Sequence, residues 1–254
     1  MVTWLALQFS KSTVSELMRI GIEAVTGDGA RWITDCVNTY TPDCVRCVDP
    51  FHVVEWATKA LDDVRCRTWQ EAKATSNEYA KSHPGKPGRP SADDKEAQKR
   101  KMYKETASNI KKSKYTLGKA RENLTDNQLE RLMIFEQKHG HSQLYRAYLR
   151  KEELRLIFKI KDLEAATMAL NKWLWSASHS RIPEICALCK KIRRHKEHIL
   201  NTIKYNISNA RIEATNNKIK LIIRKAYGFK NIENMLSMIY MTCSNLRVPL
   251  PNRG

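Results

Sequence analysis

The sequence lacks any uninterrupted apolar run near the roughly 18 to 20 residues that a transmembrane helix requires. Its best candidate, Trp4 to Phe9, is too short and has neither a basic n-region nor a small-residue cleavage site. No membrane partner and no secretory leader are expected, and the cytoplasm is the default compartment. Paired cysteines are lacking too: seven, an odd number, in a signal-less chain fit free thiols in a reducing compartment better than a disulfide framework. No period of about 20 to 50 residues repeats, which argues against a solenoid. Acidic residues are scarce, since 27 Asp and Glu face 45 Lys and Arg, for a net charge of +18 and a pI near 9.7. Such an excess calls for a polyanion; nucleic acid is the first choice and an anionic membrane surface the second.

What is present suffices for a core of ordinary size: 254 residues at 42% hydrophobic and 28% charged make one large domain or two small ones. Thr13 to Glu16 can form a capping box for a short first helix that stops at Gly21. Ile22 to Thr26 reads as a strand ending in Gly27-Asp28-Gly29, where glycines would let the backbone turn freely. A carboxylate thus stands at the C-terminal edge of a strand. Ala30 to Tyr40 reads as a helix, Pro42 breaks it, and Cys44 to Val48 alternates as a second strand, so a βαβ unit with parallel pairing is predicted. From Phe51 to about Lys73 apolar residues keep helical spacing. Ser82 to Ser91 (SHPGKPGRPS) is a Pro/Gly linker that divides the chain near residue 86. Beyond it helices are predicted at about 93–112, 126–138 with a Thr125/Gln128 capping box, 142–160, 163–177, 184–204, 209–226 and 231–244.

Several constellations carry chemistry. Lys95 to Lys114 holds eight Lys and Arg against two Glu, and Lys190 to Lys204 six against one. The candidate phosphate contacts are Lys99, Arg100, Lys101, Lys111 and Lys112 in the first run, and Lys190, Lys191, Arg193, Arg194 and Lys196 in the second. Tyr103, Tyr115 and Tyr145 can stack on bases or serve as core. Cys44-x-x-Cys47 and Cys186-x-x-Cys189 have zinc-like spacing, but one pair falls in a strand and the other inside an apolar helix; buried thiols explain both, and no zinc is expected. Asp49-Pro-Phe-His52 places an acid and an imidazole at a helix start, an arrangement that N-capping alone also explains. On the helix near 208–226, Glu213 shares a polar stripe with Asn209, Asn216, Asn217 and Lys220, opposite Ile212, Ile219, Ile222 and Ile223. That stripe suits a metal or phosphate site, or an ordinary solvated face.

The stretches GIEAVTGDGARWI, VDPFHVVEWATKALDDVR, LYRAYLRKEELRLIF, KKIRRH, SNARIEATNNKIKLIIRKAYGF and PLPNRG closely resemble, in order over residues 21–254, the bacterial insertion-sequence transposases of the ISL-three family. The resemblance implies a DDE transposase. In such proteins an RNase H-like core holds three carboxylates that bind two Mg²⁺ ions, and a helical insertion separates the second Asp from the Glu. Carried onto this sequence, it makes Asp28 the second acid and Glu213 the third, both catalytic and metal-binding. Asp49, His52, Asn209, Asn216 and Lys220 lie near that site. The implied fold class is mainly α, with a partial RNase H-like α/β core and a large all-helical insertion domain. Residues 1–20 are then a remnant preceding the core, 21–74 a partial core, 75–205 the insertion and 206–254 core helices. The opening TWLALQFSKSTVSELMRI resembles the segment ahead of the core but runs straight into the second-Asp strand, and no Asp precedes Asp28. The expectation is an internally deleted, N-terminally truncated transposase that binds DNA at element ends. It would be inactive alone unless an acid comes from Glu23 or in trans. The alternative is a non-catalytic DNA-binding fragment regulating a full-length transposase, with a further copy of itself or that transposase as partner.

Overall fold

The computed structural model describes residues 22–85, 94–208 and 210–243. Two short strands, β1 (Ala24–Gly27) and β2 (Val45–Val48), are joined by α1 (Arg31–Tyr40). They pair in parallel, with Ala24 beside Val45 and Gly27 beside Val48. This is the predicted βαβ unit, and it is all the strand structure among the described residues. The remaining described elements are helical: α2 (Pro50–Ser82), α3 (Lys95–Lys112), α4 (Lys114–Gly118), a 3-10 turn (Arg121–Asn123), α5 (Asp126–His139), α6 (Gln143–Ile157), α7 (Leu163–Ser178), α8 (Pro183–Arg194), α9 (Lys196–Tyr205), α10 (Ala210–Lys225) and α11 (Ile232–Cys243). The protein is mainly helical. No helix of the described residues is long and apolar enough to cross a membrane. The first predicted helix, from Thr13, lies outside the described residues.

The helix starts follow local chemistry. Asp94, Ser142 and Asp162 each accept hydrogen bonds from the otherwise unpaired N–H groups of their first turns. Pro50 and Pro183 occupy first-turn positions where no N–H is needed. Gln128 reaches back to the Thr125 N–H at 3.2 Å, completing that half of the predicted box.

Helix α2 outlasts its apolar pattern by two turns because α3 packs antiparallel along it. Tyr79 stacks on His83 and lies against Tyr103, and Arg100 donates to the His83 carbonyl at 2.8 Å, which closes the exposed end of α2. The Pro/Gly segment therefore connects two arms of one hairpin; residues 86–93 themselves lie outside the described part. Helices α6, α7 and α8 pack with α2 around one large core that includes Val53, Leu61, Leu144, Tyr148, Leu170, Trp173, Ile185 and Ile192. Arg67 forks onto Glu184, with Nε at 2.7 Å and Nη2 at 3.2 Å, and fixes the start of α8 on α2.

The sheet is finished by a helix rather than by a further strand. Helix α9 lies along β2, where the Thr202 hydroxyl donates to the Val48 carbonyl at 2.7 Å and accepts from the Val48 N–H at 3.0 Å. Asn201 donates to the Arg46 carbonyl at 3.1 Å. One hydroxyl thus satisfies both backbone groups that an absent neighbour strand would have paired. To reach this position the chain breaks at His195, where a single continuous helix over 184–204 was predicted. His195 leaves helical geometry at φ −101° and ψ 12°, so α8 stays on the helical core while α9 turns along the strand. The short helix α4 and the 3-10 turn were also not predicted; their few residues carry too little periodicity to register, though Thr116 and Leu117 are buried.

Thr202→Val keeps the shape and removes the hydroxyl, leaving the buried Val48 N–H and C=O without partners. Unfolding in urea is expected to show a loss of about 2–3 kcal/mol, whereas Thr202→Ser should retain most of the stability. Equal stability of the valine variant and the parent would show that the edge is satisfied in another way.

Candidate functional site

The C-terminal ends of β1 and β2 place Asp28 and Asp49 side by side, since the Asp49 N–H donates to the Gly27 carbonyl at 2.9 Å. The two acids differ in exposure. Asp49 is 2% exposed at the foot of α2, whereas Asp28 is open to solvent. Asp28 Oδ1 accepts from the Ala30 N–H at 2.9 Å, which fixes the carboxylate over the start of α1, and Oδ2 has no partner among the described residues. Arg46, almost fully buried beneath the edge, donates to the carbonyls of Asp28 and Cys47. Burial pulls the guanidinium below its ordinary range, partly opposed by the nearby Asp28 charge.

The flanking glycines act differently from the expectation. Neither Gly27 nor Gly29 has a positive φ, so neither is needed for a left-handed turn. Close approach is what excludes a side chain at Gly29: a Cβ there would sit 2.5 Å from the Trp56 ring and 3.2 Å from His195 Nε2. Strand edge, α2 and the α8–α9 break therefore meet at one point. Around it Lys191 Nζ lies 3.7 Å from the Trp56 ring centroid, Trp56 and His195 are 5.5 Å apart, and His195 and His198 6.1 Å apart. Burial lowers both histidines below their ordinary value; His198 and nearby cations push His195 further down, and Arg46 does so for His198. Burial and neighbouring Lys59 likewise lower Lys191, against a smaller opposing pull from Asp28.

The basic runs turn out unequal. On α3, Lys99 pairs with Glu96, Arg100 is spent on His83 and Asp94, Lys101 faces Glu105, and Lys111 lies over the Trp69 ring; Lys112 is exposed. On α8, Lys190, Arg193 and Arg194 are exposed and form no ion pair with any described residue, and Lys191 of the same helix feels the Asp28 charge; Lys196 opens α9 half-buried. Of the three tyrosines, Tyr145 is 5% exposed and belongs to the core, Tyr103 leans on Tyr79, and Tyr115 is 73% exposed. The base-stacking option is thus withdrawn for Tyr145, whose ring packs near Phe135 and Tyr148.

All seven cysteines are free thiols. Cys47 is fully buried and its thiol is pushed up to about 11 by that burial, so it stays protonated at neutral pH. Cys189 donates to the Leu174 carbonyl at 3.3 Å inside the helical core. His52 pairs with Glu55 on its own helix at 3.2 Å. Helix α10 carries Glu213, but that side chain lies outside the described part, as does Asn209. Asn216 and Lys220 are exposed along α10, and Ile219, Ile222 and Ile223 are half-buried on its other side, the predicted division of that helix. Among the described residues no three metal-ligating side chains converge. The sequence reading missed Arg46, Trp56, His195 and His198. Trp56 and His195 lay within quoted motifs, but only the break in the 184–204 helix brings them together.

Comparison with known proteins bears on these positions. Residues 6–239 match the family model of ISL3 (ISL-three) DDE proteins, described as a transposase. The chain is 37% identical over 232 residues to the transposase for insertion sequence element IS1557 of Mycobacterium tuberculosis, in both strain CDC 1551 / Oshkosh and strain ATCC 25618 / H37Rv. Those alignments cover 91% of this chain and 50% of the relative, so the chain spans about half the length of the IS1557 proteins it matches. The transposase for insertion sequence element IS1001 of Bordetella parapertussis is 28% identical over 124 residues, which are 49% of this chain and 30% of that protein. No solved structure matches.

The two lowered histidines give the fold a pH dependence. In the unfolded chain they titrate near about 6.5, above their folded values, so below that pH the unfolded state binds more protons. Their contribution is present above the ordinary histidine value and is lost as the pH falls towards their folded values. The urea midpoint should drop between about pH 7.5 and about pH 5.5, and the drop should shrink in His195→Gln. A midpoint that rises on acidification would contradict the placement of both rings.

Proposed function

The chain belongs to the ISL3 family of DDE transposases, and we propose that it binds DNA along α8 and presents Asp28 to a phosphodiester at the C-terminal edge of the sheet. One observation above all supports this: α8 brings Lys191 close enough to Asp28 to feel its charge, and the same helix carries Lys190, Arg193 and Arg194 exposed and without an ion pair among the described residues. Cations in the last turn also favour the dipole of α8, and a DNA backbone would compensate the charge that they leave exposed to solvent. Lys99, Arg100 and Lys101 of the α3 run are paired with carboxylates within the fold and contribute less.

In the same reading β1, α1 and β2 form part of an RNase H-like core, with residues 21–74 and 206–254 contributing to it and the helices of 75–205 as the insertion. Asp28 is suited to hold a divalent cation such as Mg²⁺, having one oxygen fixed by a backbone N–H and the other open. Glu213 on α10 is the proposed second ligand. When bound, the ion supplies positive charge to the phosphate oxygens. The protein's own contribution is to hold the strand at this edge: α8 by its cations, and Trp56 with His195 as a wall against Gly29. Burial keeps His195 and His198 neutral at pH 7, so they add no competing positive charge there.

Asp49, the acid beside Asp28 at the sheet edge, is only 2% exposed, which favours a second, non-catalytic reading: the chain binds DNA without cutting it, and a further acid comes from another copy or from a full-length transposase whose action it would thereby regulate.

Neutralising Lys190, Arg193 and Arg194 to Gln should weaken duplex binding and reduce the slope of log affinity against log salt by about 2 to 3. A parent affinity that does not change with salt would overturn the electrostatic basis of the proposal. Incubated with cognate element ends and Mg²⁺ or Mn²⁺, the chain should release no nicked or joined product. Cleavage by the parent that vanishes in both Asp28→Ala and Glu213→Ala would make the chain an active nuclease on its own while supporting both acids.

A further inference from the structure

Beside the Asp28 edge, a groove of about 690 Å³ opens between α2, α4 and α8. Its lining carries five cationic side chains against two carboxylates. Asp62 occupies two of the five, Arg65 at 2.7 Å and Lys114 at 4.0 Å, and Glu55 is engaged by His52. Lys59 and Lys191 form no ion pair with any described residue, although Asp28 and Glu55 are near enough to pull on Lys191. At one end of the groove is Trp56, whose ring bears on Gly29 and so on the Asp28 turn. Near the other is Tyr115, 73% exposed, with no ring or cation of the described residues against it.

An exposed tyrosine within a groove is unusual in one respect here: the backbone around it is held firmly. Lys151, 1% exposed, donates from Nζ to the Lys119 carbonyl at 2.9 Å and pairs with Glu152 at 2.6 Å. Thr116 and Leu117, the residues immediately after Tyr115, are buried. A buried lysine is costly unless it is paired and hydrogen-bonded, and here it anchors the turn that forms the groove wall. Tyr115 is thus a flat aromatic surface on a rigid support, in a groove whose unpaired cations, Lys59 and Lys191, lie towards the Trp56 end.

Apolar peptide would leave those cations uncompensated, and a duplex backbone would leave the ring unused. The ligand that uses both features has an aromatic face joined to phosphate, which describes a nucleotide outside a base pair. The volume is within the ~300–1,000 Å³ typical of small-ligand sites. We propose that this groove holds an unpaired nucleotide of the bound strand, its base stacked on Tyr115 and its phosphates between Lys59 and Lys191. The proposal rests on the DNA-binding reading above and adds that the protein distinguishes frayed or single-stranded DNA next to the Asp28 edge from fully paired duplex. Lys191 belongs to both surfaces, so the groove is continuous with the α8 cations.

The test uses the full chain and two fluorescent duplexes of the same sequence, one blunt and one with three unpaired nucleotides on one strand, titrated by anisotropy. The parent should bind the overhang about ten-fold more tightly, the scale of one stacked base. Tyr115→Ala should bring the ratio of affinities to about one, Tyr115→Phe should keep it, and Tyr227→Ala, a fully exposed tyrosine elsewhere, should also keep it. A 2-aminopurine in the overhang should be quenched on binding by the parent and not by Tyr115→Ala. Equal binding of both duplexes by the parent would overturn the groove alone. Failure of both duplexes to bind would overturn the DNA-binding reading together with it.

Discussion

The architecture depends on one hydroxyl group. A two-stranded parallel sheet buries too little to stand alone, and an edge with unpaired N–H and C=O groups is a liability inside a protein. Thr202 removes that liability at Val48 by acting as donor and acceptor at once, and Asn201 does the same for the carbonyl two residues earlier. A helix can replace a strand here only because its side chains present the backbone pattern that a strand would. The requirement then propagates. For α9 to lie along β2 it must leave the line of α8, the departure falls at His195, and the ring of His195 is carried against Trp56 and the Gly29 turn.

That chain of constraints sets the electrostatics at the strand end. The groups nearest the turn are two histidines that burial pushes below their ordinary value, and an arginine that keeps its charge but is spent on backbone carbonyls. Unspent positive charge is found one turn further out, on the solvent side of α8. A polyanion is therefore attracted to the rim, while Arg46, the cation directly beneath the Asp28 turn, is buried and turned onto backbone carbonyls. Net charge counted along a sequence cannot separate these two populations, because pairing and burial decide which cations are available.

Much of this was legible in the sequence. Both strands, their parallel pairing and most helices follow from period and capping, and the polar and apolar sides of α10 follow from spacing. Asp28 at a strand end was legible for the same reason. What escaped were features that exist only in three dimensions. Lys190 to Tyr205 has continuous helical periodicity, and only the strand beside it requires a break. Gly29 reads locally as a turn residue, yet its constraint is a tryptophan 27 positions away in sequence. The cations of α3 look as available as those of α8 until Glu96, Asp94 and Glu105 are placed next to them. Helix α2 outran its apolar pattern because its second half is stabilised by α3 and not by its own residues.

Helix α2 also has a mechanical consequence. Its 33 residues span about 50 Å, starting one residue after β2, and α3 returns along it to α4. Its first half is clamped in the core by Val53, Ala57, Leu61 and Val64, and the return arm reaches Lys114, opposite Asp62. Only the part beyond Ala72 projects, about 15 Å of helix. The hairpin is thus a short stiff spur whose root is continuous with the core that holds the carboxylate edge.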